Sequence, residues 1–409
     1  MKSVRNSENL VVLLALMAVS IHLVAGATLD DMQRLQTQLF ANYSNIPRPV
    51  YNQSETVQVG VQMYLMSIIQ VDAVSSLIEL STGAMITWSD YRLAWDPNDY
   101  GGLTSYSVDP NTIWYPGLFI TSTSDDLEQI GNNDFHVDIL SNGTITWIVG
   151  KLIMSSCNVD MTSFPMDTQR CTVILMPWGY TASEVTVYPV SRSISMDFSS
   201  ANGEWSIEST SVSEYDLFMP YYSSLAVQLT LKRKSTYFVI SLILPMNLLG
   251  FLVPFVFLLP ASSGERISYI ITMFLSLAVY MTIVTSMIPQ VSDPMAGITY
   301  YTFVSLAFSS GIVFLTIFTL RFEALDDVGQ FPKFIVWTVK KLFMCCNKKR
   351  RRTQIEDGKT GRNEGEFDEC ETETKLTKAI MMKYIDMVLF IFTMAVPLIV
   401  NIFFIPLCW

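Results

Sequence analysis

The sequence predicts a chain in two parts, an exported β-sandwich followed by four membrane-spanning helices. Three observations predict it. From Glu55 the residues alternate apolar and polar with a period of two, and similar short apolar segments, separated by Asn, Asp, Gly and Pro, recur to about Leu231. Four uncharged stretches follow: Lys234 to Glu265, Arg266 to Asp293, Asp293 to Arg321, and beyond Asp386. Each exceeds the roughly 20 residues that a helix needs to cross a bilayer. Half of the 409 residues are hydrophobic and only 15% are charged, which is too apolar for an ordinary soluble protein.

Lys2 and Arg5 precede an apolar run from Leu10 to Val19, and Val24-Ala25-Gly26-Ala27 closes it with small residues. That order describes a secretory signal peptide over residues 1–27, preferred to a fifth membrane helix because no stop signal follows. Export accounts for three sequons, at Asn42, Asn52 and Asn142, as glycosylation sites on one side of the membrane stretches.

The extracellular domain is expected over residues 28–234. Asp30 and Asp31 open a helical pattern with Met32, Leu35 and Leu39 on one face, ended by Pro47-Arg48-Pro49. Val57, Val59, Val61, Met63 and Leu65 then mark the buried side of a strand, with Gln58, Gln62 and Tyr64 on the other. The pattern continues as an antiparallel sandwich of about 200 residues. Between Thr28 and Ser235 there are 22 acidic residues against nine basic ones. This excess either gathers cations near a membrane mouth or serves solubility. Of two histidines, His22 falls in the signal peptide, and His136 alone cannot build a histidine metal cluster. No enzyme, metal or cofactor is expected.

Cys157 and Cys171 enclose thirteen residues, ending in Phe164-Pro165-Met166-Asp167-Thr168-Gln169-Arg170-Cys171. A disulfide across such a loop would contribute roughly 3 kcal/mol by restricting the unfolded chain. The proline forces an extended or turn conformation on Phe164, giving a closed finger with a hydrophobic tip.

Lys232-Arg233-Lys234 closes the first domain. Membrane helices are expected at about 236–259, 266–288 and 297–320 within residues 235–321, with a fourth in 381–409. Pro245 falls inside the first, where membrane helices tolerate it. Residues 322–380 form a loop carrying Lys348-Lys349-Arg350-Arg351-Arg352 and a polar, acidic stretch from Gln354 to Thr374. Beside membrane helices the basic cluster reads as a cytoplasmic marker more economically than as a nucleic-acid arm. An exported N-terminus and four spans then place both chain ends outside.

In the second membrane stretch, Ser268, Thr272, Leu275, Val279, Thr282 and Ser286 follow a 4-3-4-3-4 spacing and share one helix face. Hydroxyls at both ends with an apolar middle suit a water-filled pore with a dewetting gate. They also suit helix packing, and spacing alone does not decide.

The finger, with its Phe-Pro-x-Asp-x-Gln-x-Cys ending, resembles the signature loop of the Cys-loop receptors, the pentameric ligand-gated ion channels. Ser262-Ser263-Gly264-Glu265-Arg266-Ile267-Ser268 followed by Leu275-Ser276-Leu277 is similar to the pore helix of nicotinic-type subunits. The resemblance spans nearly the whole mature chain and implies a ring-shaped pentamer with four further subunits. It makes Leu275 the gate ring and Glu265 an inner carboxylate ring selecting monovalent cations, where anion-selective members carry Pro-Ala-Arg. Ser262 and Ser286 stand where further acidic rings are common.

The resemblance also implies an aromatic box for an amine ligand, held by contacts of roughly 0.5–2 kcal/mol each. Trp178 is the central tryptophan of the principal face, Tyr215 and Tyr222 are the tyrosines of its capping loop, and Trp88 comes from the face of a neighbour. Thr146, Ile148 and Tyr180 are further ligand-binding residues. Two departures stand out: Asp216-Leu217-Phe218 replaces a vicinal cysteine pair, and Thr121 replaces a tyrosine. For coupling, the resemblance rests Phe164 and Pro165 on the linker from Met287 to Gly297, and pairs Arg233 with Asp167 or Asp72. The expected function is a subunit of a ligand-gated cation channel in the plasma membrane. The alternatives are an anion-selective member of the family and a non-conducting, accessory ligand-binding subunit.

Overall fold

The computed structural model describes residues 26–123, 126–215, 221–290, 295–325, 330–341 and 377–408. The signal-peptide core, Asp216-Leu217-Phe218, the basic cluster at 348–352 and the acidic stretch after it lie outside the described residues. The chain divides into two compact units. One comprises residues up to Val159 with Thr168–Lys232, and the other comprises Asp160–Asp167 with Arg233 onward.

Among its described residues, the first unit opens with helix α1 (Leu29–Phe40), whose start is fixed by a reciprocal cap. The Thr28 hydroxyl accepts from Asp31 N at 3.3 Å, and the Asp31 carboxylate accepts from Thr28 N at 3.0 Å. The Thr28 contacts, aided by Arg34, hold the Asp31 carboxyl at about 2. Leu35 and Leu39 face the core.

Among the described residues, eleven strands form the sandwich: β1 (Val57–Asp72), β2 (Leu77–Ser89), β3 (Ser105–Val108), β4 (Leu118–Ile120), β5 (Glu128–Gln129), β6 (Val137–Leu140), β7 (Thr144–Ser156), β8 (Thr168–Pro177), β9 (Val185–Pro189), β10 (Trp205–Glu214) and β11 (Leu225–Arg233). One sheet has the order β3-β6-β7-β2-β1-β9, the other β10-β11-β8-β4-β5. The five inward residues of β1 from Val57 to Leu65 are each no more than 3% exposed, as alternation requires. Gln62 on the opposite face is also buried, and its Nε2 donates to Met63 O at 3.0 Å. The sandwich is not wholly antiparallel. β9 joins the edge of β1 in parallel, Val57 facing Val185 through Val61 facing Pro189. The strand before β9 lies in the other sheet, so the chain crosses over before pairing and no hairpin fixes the direction.

Trp147 is among the largest fully buried side chains, and its Nε1 donates to Phe135 O at 3.0 Å. It sits against Gly131, whose φ of +88° favours glycine and where a Cβ would fall 2.4 Å from the indole. The Cys157–Cys171 disulfide joins the end of β7 to β8, with Cα atoms 4.8 Å apart.

Among its described residues, the second unit holds four helices long and apolar enough to span a membrane: α2 (Thr236–Leu258), α3 (Glu265–Ser286), α4 (Gly297–Glu323) and α5 (Lys378–Cys408). α2 is irregular for a reason in its sequence. A π-turn over Val239–Ile243 precedes Pro245, and a tighter 3-10 stretch from Val253 contains Pro254. Each proline lacks an N–H and crowds the turn before it, so the helix widens and then tightens around them. Residues 333–341 form a further short helix.

Candidate ligand cleft, coupling pair and ion-path face

β8 ends at Pro177, and the chain turns through Gly179 at φ +92°. That left-handed turn leaves Trp178 51% exposed while its N–H still donates to Gly117 O at 3.2 Å. Trp178, Tyr180 and Tyr222, with Met176, Gly179 and Thr181, line an open cleft of about 430 Å³. Three electron-rich rings around such a space can hold an organic cation by their faces.

Tyr180 is braced from behind. Trp114 Nε1 donates to its hydroxyl at 3.1 Å, with the two rings 6.0 Å apart. Trp114 N in turn donates to the Tyr43 hydroxyl at 3.0 Å, and that hydroxyl donates to Asp90 at 2.9 Å. Asp90 is fully buried and takes a two-point bond from Arg92, at 2.8 and 2.7 Å. Burial raises the Tyr43 phenol far above its ordinary value, so it stays a donor. Sequence reasoning missed Trp114. Its place two residues before Pro116 carried no periodic signal.

Other predicted ligand residues fall elsewhere. Thr121 continues the strand β4 ladder, its N–H donating to Ile174 O at 2.9 Å. Tyr215 pairs its N–H with Ser224 O at 2.8 Å and is not among the residues lining the cleft. Thr146 and Ile148 lie on β7, in the other sheet, facing Thr87 and Met85, with Ile148 59% exposed. A single chain therefore does not bring them to Trp178.

Trp88 requires a correction. It is only 3% exposed and packs edge-to-face on Trp114, with centroids 6.3 Å apart. Strand parity explains this. Leu80, Thr82, Ala84, Ile86 and Trp88 point inward, which turns Ser81, Gly83, Met85 and Thr87 outward. Trp88 is core, and the outward side of β2 carries no aromatic.

On α3, Glu265, Ser268, Thr272, Leu275, Val279, Thr282 and Ser286 are all exposed, whereas Arg266, Ile270, Leu277 and Val284 are buried. The hydroxyls of Thr272, Thr282 and Ser286 donate to helix carbonyls of Ser268, Val279 and Ile283 at 2.7–2.8 Å. Their donors are thus satisfied, and each oxygen keeps acceptor capacity on the exposed face.

Asp160–Asp167 packs with the helices. Arg233 donates from Nε to Asp167 Oδ1 at 2.8 Å and from Nη2 to Oδ2 at 3.1 Å. Its guanidinium carbon lies 5.2 Å from the Phe164 ring centre and 5.3 Å from that of Phe238. Asp72, the alternative partner, spends its carboxylate on its own turn, accepting from the Ser75 hydroxyl at 2.6 Å and from Val74 N at 2.8 Å. Those bonds, the Ser75 hydroxyl first, hold its pKa below the ordinary value. Residues 291–294 of the linker expected to seat Phe164 lie outside the described residues. Among the described residues, the Phe164 ring meets Phe238 of α2, and Gly297 N at the end of the linker donates to Thr162 O at 3.1 Å. The peptide bond before Pro165 is cis.

Two family models match the chain. The neurotransmitter-gated ion-channel ligand binding domain covers residues 32–235, and the neurotransmitter-gated ion-channel transmembrane region covers residues 242–375. Human neuronal acetylcholine receptor subunit alpha-3 is 30% identical over 319 residues, 76% of this chain and 62% of that protein. The human alpha-2 subunit is 28% identical over 72% of this chain and 56% of its own length. The mouse alpha-6 subunit is 29% identical over 71% of this chain and 60% of its own. The chain thus spans a little under two thirds of the relatives it matches. With both halves matched in order around a closed Cys157–Cys171 finger, the chain belongs to the neurotransmitter-gated ion-channel family, the Cys-loop receptors.

Proposed function

We propose that the chain is one subunit of a pentameric, ligand-gated, cation-selective channel of the plasma membrane, with both termini outside. The observation that carries the reading is the exposed face of α3, headed by Glu265 and centred on Leu275, which is 62% exposed. In a ring of five, these faces line one axis. Leu275 forms a hydrophobic constriction and Glu265 a ring of carboxylates that attracts monovalent cations and repels anions. The anion-selective alternative has no basic residue on that face to support it.

Trp178, Tyr180 and Tyr222 supply the principal face of the ligand site, for a small amine. Thr146 and Ile148 lie on the other sheet, as a face offered to a neighbour would, and a ring of copies joins the two faces. Arg233 and Asp167 couple the two halves. Asn42, Asn52 and Asn142 have exposed side chains, as glycosylation needs.

One observation favours a second reading, a subunit that works only beside a different partner. With Trp88 in the core, the outward side of β2 lacks an aromatic to close a neighbour's cleft. The test is expression of the chain alone, with surface complexes sized and currents recorded under a panel of small amines. Amine-evoked cation current through five-subunit complexes supports the first reading. Pentamers or currents that appear only on co-expression with another subunit select the second.

A further inference from the structure

We infer that Asp386, on α5, is a selectivity-determining positioning residue that acts on the ion path through Arg266. The inference rests on the reading above, in which Glu265 faces the permeating ion. Glu265 and Arg266 are consecutive in the first turn of α3, so a carboxylate and a guanidinium enter the same short stretch of helix. Successive helical residues diverge by about a quarter turn. Here Glu265 is exposed and Arg266 is 1% exposed.

The buried guanidinium is fully directed. Nε donates to Leu259 O at 2.6 Å, Nη1 to Asp386 Oδ1 at 3.0 Å, and Nη2 to Asp386 Oδ2 at 2.5 Å. Asp386 is itself only 15% exposed, and it stands on α5 where the uncharged stretch from Met387 onward begins. An acid in such a helix is costly unless it has a partner and a task. Two consequences follow from the geometry. The fork ties the first turn of α3 to α5 and to the end of α2, which fixes the direction in which Glu265 points. It also cancels a positive charge next to Glu265. An unpaired guanidinium one residue away would offset the carboxylate's field, whereas a paired one leaves mainly a dipole, and Glu265 then sets the sign at the mouth.

The test uses the full chain carrying Leu275→Thr, to hold the pore open without a ligand. If that background passes anions, the channel reading fails before Asp386 is in question. In a cation-selective background, Asp386→Asn is expected to lower single-channel cation conductance about twofold or more and to move the reversal potential toward that of chloride. Asp386→Glu should preserve both, and Arg266→Gln combined with Asp386→Asn should return the reversal potential, because no unpaired guanidinium remains beside Glu265. A purely structural anchor would change the number of channels and leave conductance and reversal alone. Unchanged conductance and reversal in Asp386→Asn overturn the inference. If the background is silent, thermal midpoints of the purified chain decide: the double variant must regain what Asp386→Asn loses, and a double variant no more stable than the single overturns the pairing.

Discussion

Arg233 and Asp167 form a two-point ion pair in which neither side chain is more than 5% exposed. The guanidinium is also flanked by the rings of Phe164 and Phe238. Four groups, from the finger, the end of β11 and the start of α2, therefore meet in one cluster. A guanidinium here without its carboxylate would be a buried, uncompensated charge.

Removing one partner of such a pair typically costs about 3–5 kcal/mol, most of it from the stranded charge. Arg233→Ala and Asp167→Asn should each reduce surface protein as well as ligand-evoked current. Arg233→Gln combined with Asp167→Asn should recover part of the surface signal, because no bare charge remains. Surface biotinylation across the three variants measures this. A double variant as poor as the worse single would show that the pair is not acting as a unit.

Tyr180 is held by the indole N–H of Trp114 at 3.1 Å. Trp114→Phe keeps the ring packing and removes the donor. A lost hydrogen bond of about 1 kcal/mol corresponds to a roughly fivefold weaker response to an amine that acts on the channel. Concentration–response curves would show it, with the maximal current retained. An unshifted curve would mean that Tyr180 needs no brace.

Gly131 has φ +88° and lies where a Cβ would meet Trp147 at 2.4 Å. Gly131→Ala should therefore lower the thermal midpoint of the extracellular domain and the surface yield, through overpacking of about 1–3 kcal/mol plus backbone strain. Gly203→Ala, where no heavy atom lies within 4 Å of the added Cβ, is the control. Equal behaviour of the two variants would contradict the packing account.

Trp88 and Trp178 should separate cleanly. Trp88→Ala removes a core ring beside Trp114 and should cost about 3–5 kcal/mol, seen as loss of surface protein. Trp178→Ala removes a ring that is half exposed and should leave assembly intact while abolishing the amine response. Surface protein and evoked current, read together, test both. Loss of the response in Trp88→Ala at normal surface level would restore Trp88 to the ligand site.

The sequence was legible wherever one periodicity dominated. The inward residues of β1 and the exposed face of α3 follow directly from periods of two and 3.6. The motif match puts Trp88 on a ligand face, whereas strand parity counted from Leu80 puts it in the core. Asp386 and Arg266 were visible only as charges bounding apolar stretches. Their meeting across 120 residues is a tertiary fact with no local signature. The parallel edge strand β9 was equally hidden, since its direction comes from a crossover between sheets.

The central claim is that the face of α3 bearing Glu265 and Leu275 lines a cation pore. The most direct test expresses Leu275→Thr and records the reversal potential while sodium is replaced by a bulky organic cation. Hydrating the constriction should give a standing current, and the reversal should shift to more negative potentials as sodium is withdrawn. A reversal that ignores sodium and follows chloride would contradict the account.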